Sequence, residues 1–105
     1  MPVYVALVKF NESKTGEEQL AAGQAALDLA LEESGGTAAI TTSSGYYGLF
    51  WTEGEVDMVL TYSKRDEDEA RAFAKRLEKR QDSTIQVLKS LTEGEKEREL
   101  KGRVS

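Results

Sequence analysis

The residue with the clearest chemical potential is Asp57, in a strand candidate that follows an aromatic-rich strand across a tight turn. Strand alternation places Asp57 on one face with Val59 and Thr61, opposite Met58 and Leu60. If the opposite face meets the helices, Asp57 faces an apolar cavity, where burial raises a carboxylate's pKa and favours a general base. The alternative is an aspartate that fixes the turn at a strand end, or pairs with a lysine or arginine.

Aromatic residues gather around this position and could form the wall of a ligand pocket. Trp51, Tyr47 and Phe50 would suit a flat organic ligand, although such residues also pack cores and dimer interfaces. Tyr4 could donate a hydrogen bond inside a pocket or be a partly buried structural tyrosine. The candidate ligand-binding residues are Asp57, Trp51, Tyr47, Tyr4 and Thr61.

Several kinds of chemistry are excluded by composition. The chain has no cysteine and no histidine, which removes disulfides, thiolate metal sites, cysteine nucleophiles, histidine bases and histidine-ligated haem. Gly45 and Gly48 lack the Gly-Lys-Ser/Thr of a phosphate loop and indicate a bulge or bend instead. The carboxylates of Glu53 and Glu55 suit a solvated turn better than a cation site. We therefore expect no cofactor and no metal, and assign no catalytic residue.

The elements that must position these residues follow the order βαββαβ. The first strand is Val3–Phe10, apolar on both faces, and the first helix begins at a Thr15–Glu18 capping box and runs to about Ser34. A hairpin turns at residues 52–55, with its second arm over 55–62, and the last strand spans 84–91. The second helix begins near Asp66, with Glu69 as its box partner. Residues 37–44 suit an early or bulged part of the second strand.

Apolar spacing predicts the buried face of each helix. In the first helix the predicted stripe is Leu20, Gly23, Leu27, Ala30 and Leu31. In the second helix it is Ala70, Phe73, Ala74 and Leu77.

This order predicts an α+β fold of the ferredoxin-like type in a single domain of residues 1–105, with 93–105 a charged tail or short helix. The four-stranded antiparallel sheet carries both helices on one face. The prediction places Tyr4, Ala6, Val8 and Val59 on the other face. An apolar sheet face on a small domain usually meets a partner, most simply a second copy in a dimeric α+β barrel.

Charge limits the partners further. The net charge is −5 and the sequence pI about 4.8, which disfavours nucleic acid and anionic membrane surfaces. The sequence contains no apolar stretch of membrane-spanning length and no signal-peptide pattern at its first residues, so we expect a cytoplasmic protein.

Residues 51–59, Trp-Thr-Glu-Gly-Glu-Val-Asp-Met-Val, resemble the signature of the GYD family, small bacterial proteins named for a Gly-Tyr-Asp run at such a hairpin. The opening residues 2–7 and the closing strand into 91–93 are similar as well. Here Val56 stands where the family has its tyrosine, so no tyrosine role is carried over. The resemblance implies a dimeric α+β barrel, a fold that cofactor-free monooxygenases and small-molecule sensors share.

Three functions compete at this point. The first is a homodimer or higher oligomer that binds a small organic ligand in the barrel cavity. The second is a cofactor-independent enzyme of the monooxygenase or isomerase kind that uses Asp57 and a tyrosine. The third is a protein-interaction or RNA-binding module, which the acidic balance disfavours. Because no catalytic constellation stands out, the sequence favours ligand binding over catalysis.

Overall fold

The structure, a computed structural model, describes residues 2–34, 46–91 and 93–104. It has an α+β architecture with one four-stranded antiparallel sheet and three helices, which confirms the predicted class. The predicted segment 37–44 lies outside the described residues. The elements are β1 (Val3–Phe10), α1 (Gly16–Ser34), β2 (Tyr46–Trp51), β3 (Met58–Ser63), α2 (Glu67–Gln81), β4 (Ser83–Lys89) and α3 (Glu93–Val104).

The strands lie in the order β2-β3-β1-β4. On β1, Val5 stands opposite Thr61 of β3 and Leu88 of β4. The β2–β3 hairpin is present, with a register shift between Tyr46 and Gly48 that agrees with the bulge predicted at Gly48. The predicted turn was too short, because the loop extends over residues 52–57 and β3 begins only at Met58.

The start of α1 is as predicted, but its buried face is predicted only in part, since Gly23 and Ala30 are buried while Leu27 and Leu31 are partly exposed. The Thr15 amide donates to Glu18 Oε1 at 2.9 Å, and the Glu18 amide donates to Thr15 Oγ1 at 3.2 Å, which completes the capping box. Leu20, predicted to be buried, is 71% exposed. The residues that pack on the sheet are mostly small: Ala22, Gly23, Ala26, Leu29 and Ala30. Alanines and leucines together cover most of the circumference of this helix, so apolar spacing did not single out one face.

The second helix agrees closely with its sequence pattern. Asp66 caps it, since Asp66 Oδ1 accepts from the Glu69 amide at 2.9 Å. The Glu69 carboxylate accepts from the Arg65 amide at 3.3 Å rather than from Asp66, so the capping box is not reciprocal. The predicted stripe is buried throughout: Ala70, Phe73, Ala74 and Leu77.

The core lies between the sheet and these two helices. Tyr4, Ala6 and Val8 are buried in it, so their predicted position on the opposite face was wrong. Directly paired residues of neighbouring strands share a face. Because Ala6 pairs with Leu60 and Val8 with Met58, they must face the helices with those residues. Val59 does lie on the opposite face, as predicted.

The final strand is shorter than the predicted 84–91. It ends at Lys89, and the Ser90 amide then donates to Val3 O at 2.9 Å. Leu91 follows the strand and is 40% exposed. The charged segment after it forms α3, and within the described residues no helix has the length and apolar character to cross a membrane.

Ion pairs join the end of α1 to α2 and to the end of β3. Glu33 accepts two hydrogen bonds of 2.7 Å from Arg76 and one of 3.2 Å from Lys64. Burial opposes ionisation of Glu33, but the Arg76 hydrogen bond and the Lys64 charge outweigh it and hold the carboxyl pKa below its usual 4.5.

Replacing Glu33 should therefore destabilise the fold in a pH-dependent way. A depressed pKa gives stability that is present above the unfolded-state value and is lost as the pH falls through the folded-state value. We expect Glu33→Gln to lower the free energy of unfolding by about 1 kcal/mol at pH 7, with the difference shrinking below about pH 4.5. Urea melts of both proteins at pH 7 and pH 3.5 check this. An equal difference at both values would contradict the ion-pair account.

Candidate functional site

The sheet face turned away from α1 and α2 is the most distinctive surface of the chain. We call it the open face. Its side chains alternate with those of the core along each strand, and they are mainly apolar. The open face includes Val3, Val5, Leu7, Phe50, Val59, Thr61, Gln86 and Leu88, with the polar pair Lys9 and Thr84 at one end. Phe50 is 57% exposed and Leu88 is 43% exposed, and both are large apolar side chains within strands.

One corner of the open face is formed by Gly48, Phe50 and Thr61, and we call it the Phe50 corner. A Cβ atom at Gly48 would lie 3.0 Å from Phe50 Cε2 and 3.5 Å from Thr61 Oγ1. The Phe50 ring therefore lies against the Gly48 backbone, with the Thr61 hydroxyl beside it. This corner offers an aromatic surface and a neighbouring hydrogen-bonding group.

Asp57 has a role in the hairpin turn. It precedes β3, and its Oδ2 accepts a hydrogen bond of 2.8 Å from the Phe10 amide. Its own amide donates to Val8 O at 2.8 Å, and its carbonyl accepts from the Thr52 amide at 3.1 Å. The interpretation of Asp57 as a strand-end residue that fixes the turn agrees with this geometry.

The surroundings of Asp57 are polar rather than apolar. Its side chain borders an open concavity of about 400 Å³ at the end of β1, with Lys9, Asn11, Lys14 and Gln19 among the lining residues. The expected apolar cavity around Asp57 is therefore not what the structure shows within this chain.

Replacing Asp57 should cost stability. Asp57→Ala leaves the Phe10 amide without its charged acceptor, and a part-buried charged hydrogen bond is worth about 1.5–3 kcal/mol. We expect a fall of that size in the free energy of unfolding, and a smaller fall for Asp57→Asn, which keeps an acceptor oxygen. Glu55→Ala, in the same turn but exposed, is the matched control. Unchanged stability in Asp57→Ala would contradict the assignment.

Trp51 and Tyr4 lie on the helix side of the sheet. Trp51 is 44% exposed and packs beside Phe10 with 6.3 Å between ring centroids. A Cβ atom at Gly23 of α1 would lie 3.1 Å from Trp51 Cζ2, so this glycine makes room for the indole. Tyr4 is 2% exposed, and burial, followed by the nearby carboxylates of Glu67 and Asp66, raises the pKa of its hydroxyl.

The five candidate residues therefore do not share one surface. Thr61 lies on the open face, Tyr4 and Trp51 lie on the opposite side, and Asp57 lies in the loop before β3. The side chain of Tyr47 lies outside the described part of the chain. Sequence reasoning missed Val5, Leu7 and Leu88 as surface residues, because the pairing of β1 with β3 that distinguishes the two faces is not contained in the alternation along β1.

A further concavity lies between α2 and β4. It measures about 870 Å³, and we call it the edge groove. Its lining includes Asp68, Ala72, Lys75 and Glu78 of α2 and Val87 and Leu88 of β4. The described residues contain no group of three carboxylates, histidines or cysteines placed to hold a metal ion.

Comparisons of the chain with family models, with curated proteins and with solved structures gave no match.

Proposed function

We propose that this chain is a ferredoxin-like domain that forms a homodimer through its open face and binds a small organic ligand between the two sheets. One observation carries the proposal, namely the apolar side chains along the face that α1 and α2 leave uncovered. Their burial against a second copy would remove them from water at a gain of about 25 cal/mol per Å².

The strand order supports the ferredoxin-like part of the proposal. In the order β2-β3-β1-β4, the two central strands, β3 and β1, are the first strands of the two β-α-β halves of the chain. Within each half, α1 or α2 connects the central strand to an edge strand. The resemblance to the GYD family, whose fold pairs two such sheets, points the same way, and we propose common ancestry with that family.

The chemistry of the open face favours an identical partner. Val3, Val5 and Leu7 form an apolar row along β1, and Val59 and Leu88 extend it on both sides. These five side chains are uncharged, so they create no like-charge repulsion when two copies meet about a two-fold axis, and the charged Lys9 lies at the end of the row.

The Phe50 corner is where we propose that the ligand binds. The Phe50 ring, which the bare Gly48 backbone allows to lie against the sheet, gives a flat apolar contact, and the Thr61 hydroxyl can donate or accept one hydrogen bond. This chemistry suits a small, flat and mainly apolar molecule with a single polar group.

A fluorescent apolar probe tests the ligand proposal. The dimer should bind 8-anilinonaphthalene-1-sulfonate, and Phe50→Ala should weaken binding about fivefold or more while the dimer persists. Leu20→Ala, which removes an exposed apolar side chain from α1, is the control. Equal binding by Phe50→Ala and the unchanged protein would contradict a ligand site at this corner.

A further inference from the structure

The free edge of the sheet at β4 is a second surface with a defined pattern. Backbone groups in an antiparallel strand point alternately towards each neighbouring strand. The Ser90 amide donates a hydrogen bond to Val3 O of β1, so the backbone N–H and C=O groups of Leu88 and Gln86 also point towards β1. Those of Ile85, Val87 and Lys89 consequently point outwards.

At one end of this edge the outward backbone amide already has a hydrogen-bond acceptor, and at the other end the outward amides have none among the described residues. Glu78 Oε2 accepts a hydrogen bond of 2.7 Å from the outward-pointing Ile85 amide, so Ile85 cannot donate that amide to another strand. No hydrogen bond reaches the outward amides of Val87 and Lys89 from any described part of the chain. A strand with unpaired outward amides is a template for another strand. Only the segment around Leu88 is therefore available.

We propose that β4 pairs antiparallel with β4 of a second copy, about a two-fold axis at Leu88. In this register Val87 bonds the partner's Lys89 on each side of the axis. Leu88 then faces the partner's Leu88 as a non-hydrogen-bonded pair, and the Glu78 bond to Ile85 is kept. This contact joins two sheets edge to edge through the backbone of β4, and it shares only the Leu88 side chain with the open face.

The charges of α2 fit this arrangement. Glu78 stands level with Ile85, and Leu88 lies about 10 Å further along β4 at ~3.3 Å per residue. Since α2 runs in the opposite direction at about 1.5 Å per residue, Ala72 stands level with Leu88. Both residues line the edge groove.

A two-fold axis beside Ala72 brings Asp68 opposite the partner's Lys75, and Lys75 opposite the partner's Asp68. Neither residue forms an ion pair with another described residue. The small side chain of Ala72 lets the two helices approach. Arg71 also lines the groove, beside the axis, and it is paired with Glu67 of its own helix. Asp68 and Lys75 are therefore complementary in charge to their own copies, which argues for this occupant over an unrelated extended peptide.

Cysteine crosslinking tests the register, because the chain has no natural cysteine. Leu88→Cys would place two thiols in a non-hydrogen-bonded pair with Cα atoms about 4.5 Å apart, within disulfide range. Gln86→Cys is the matched control, since the two copies of residue 86 would lie about 13 Å apart. Both variants carry Val5→Glu, which removes association through the open face.

Under mild oxidation we expect at least about tenfold more disulfide-linked dimer from Leu88→Cys than from Gln86→Cys. Equal crosslinking of the two, or none for Leu88→Cys, would overturn the proposal. Neither result bears on the open-face dimer, which Val5→Glu has removed.

Charge exchange gives an independent test in the same background. Asp68→Lys and Lys75→Asp should each reduce the crosslinked fraction of Leu88→Cys by about fivefold, and the double variant should restore it. Failure of the double variant to exceed the single ones would overturn the pairing of α2 with its copy.

Discussion

Val8→Glu should unfold most of the protein. Val8 is 0% exposed and stands between Met58 of β3 and Ile85 of β4, with the helices above it. A buried carboxylate without a partner costs about 3–5 kcal/mol or takes up a proton at a comparable penalty. That cost is a large part of the total stability of a domain, typically about 5–15 kcal/mol.

Circular dichroism and thermal melts check this prediction. We expect Val8→Glu to show reduced helix signal and no cooperative melt near the transition of the unchanged protein. Val8→Ala, which removes methyl groups without adding a charge, is the control and should still fold with a lower Tm. A native-like cooperative melt for Val8→Glu would show that Val8 does not face the core.

Val5→Glu, only three residues away, should have a different effect. Val5 lies at the centre of the open face, between Thr61 and Leu88, and it is half-buried in the single chain. The new carboxylate can reach water in the monomer, so the fold survives. In the dimer it would be desolvated close to its own copy, which costs several kcal/mol.

We expect Val5→Glu to raise the Kd of the open-face dimer at least about 100-fold, with the helix signal unchanged. Its Tm should fall with the lost association, because dimer formation stabilises the folded state by mass action. Leu20→Glu introduces the same charge at an exposed leucine of α1 and should leave association intact. Equal effects of the two substitutions would argue against the open face as the interface.

The contrast between Val5 and Val8 shows what a local pattern can and cannot predict. Both faces of β1 are apolar, so alternation alone does not identify the face under the helices. The pairing of Ala6 with Leu60 resolves it, because β3 has a clear division between apolar and polar positions. The two-sided pattern nevertheless predicted a central strand correctly.

The helices differ in the same way. In α2, Phe73 and Leu77 stand among charged residues, so spacing identifies the buried face. In α1, alanines lie on one half of the helix and leucines on much of the other, and tertiary packing selects the side that carries Ala22 and Ala26. Leu20 lies on the other side of the helix and is 71% exposed.

The role of Asp57 depends on contacts that no local pattern contains. Its carboxylate bonds the amide of Phe10, which is 47 positions away in sequence. The hairpin and the approximate position of Asp57 followed from the sequence, but the length of the loop did not. A loop that extends to residue 57 removes Asp57 from the alternation that assigned it to a cavity.

Sedimentation equilibrium of the unchanged protein at micromolar concentration tests the central claim most directly. The chain mass is 11.6 kDa, and the open-face dimer predicts a mass of at least twice that value. The measured mass should return to that of a single chain when Val5→Glu is combined with a substitution that disrupts the β4 edge, such as Lys89→Pro. A monodisperse mass of 11.6 kDa for the unchanged protein at every concentration would contradict the account.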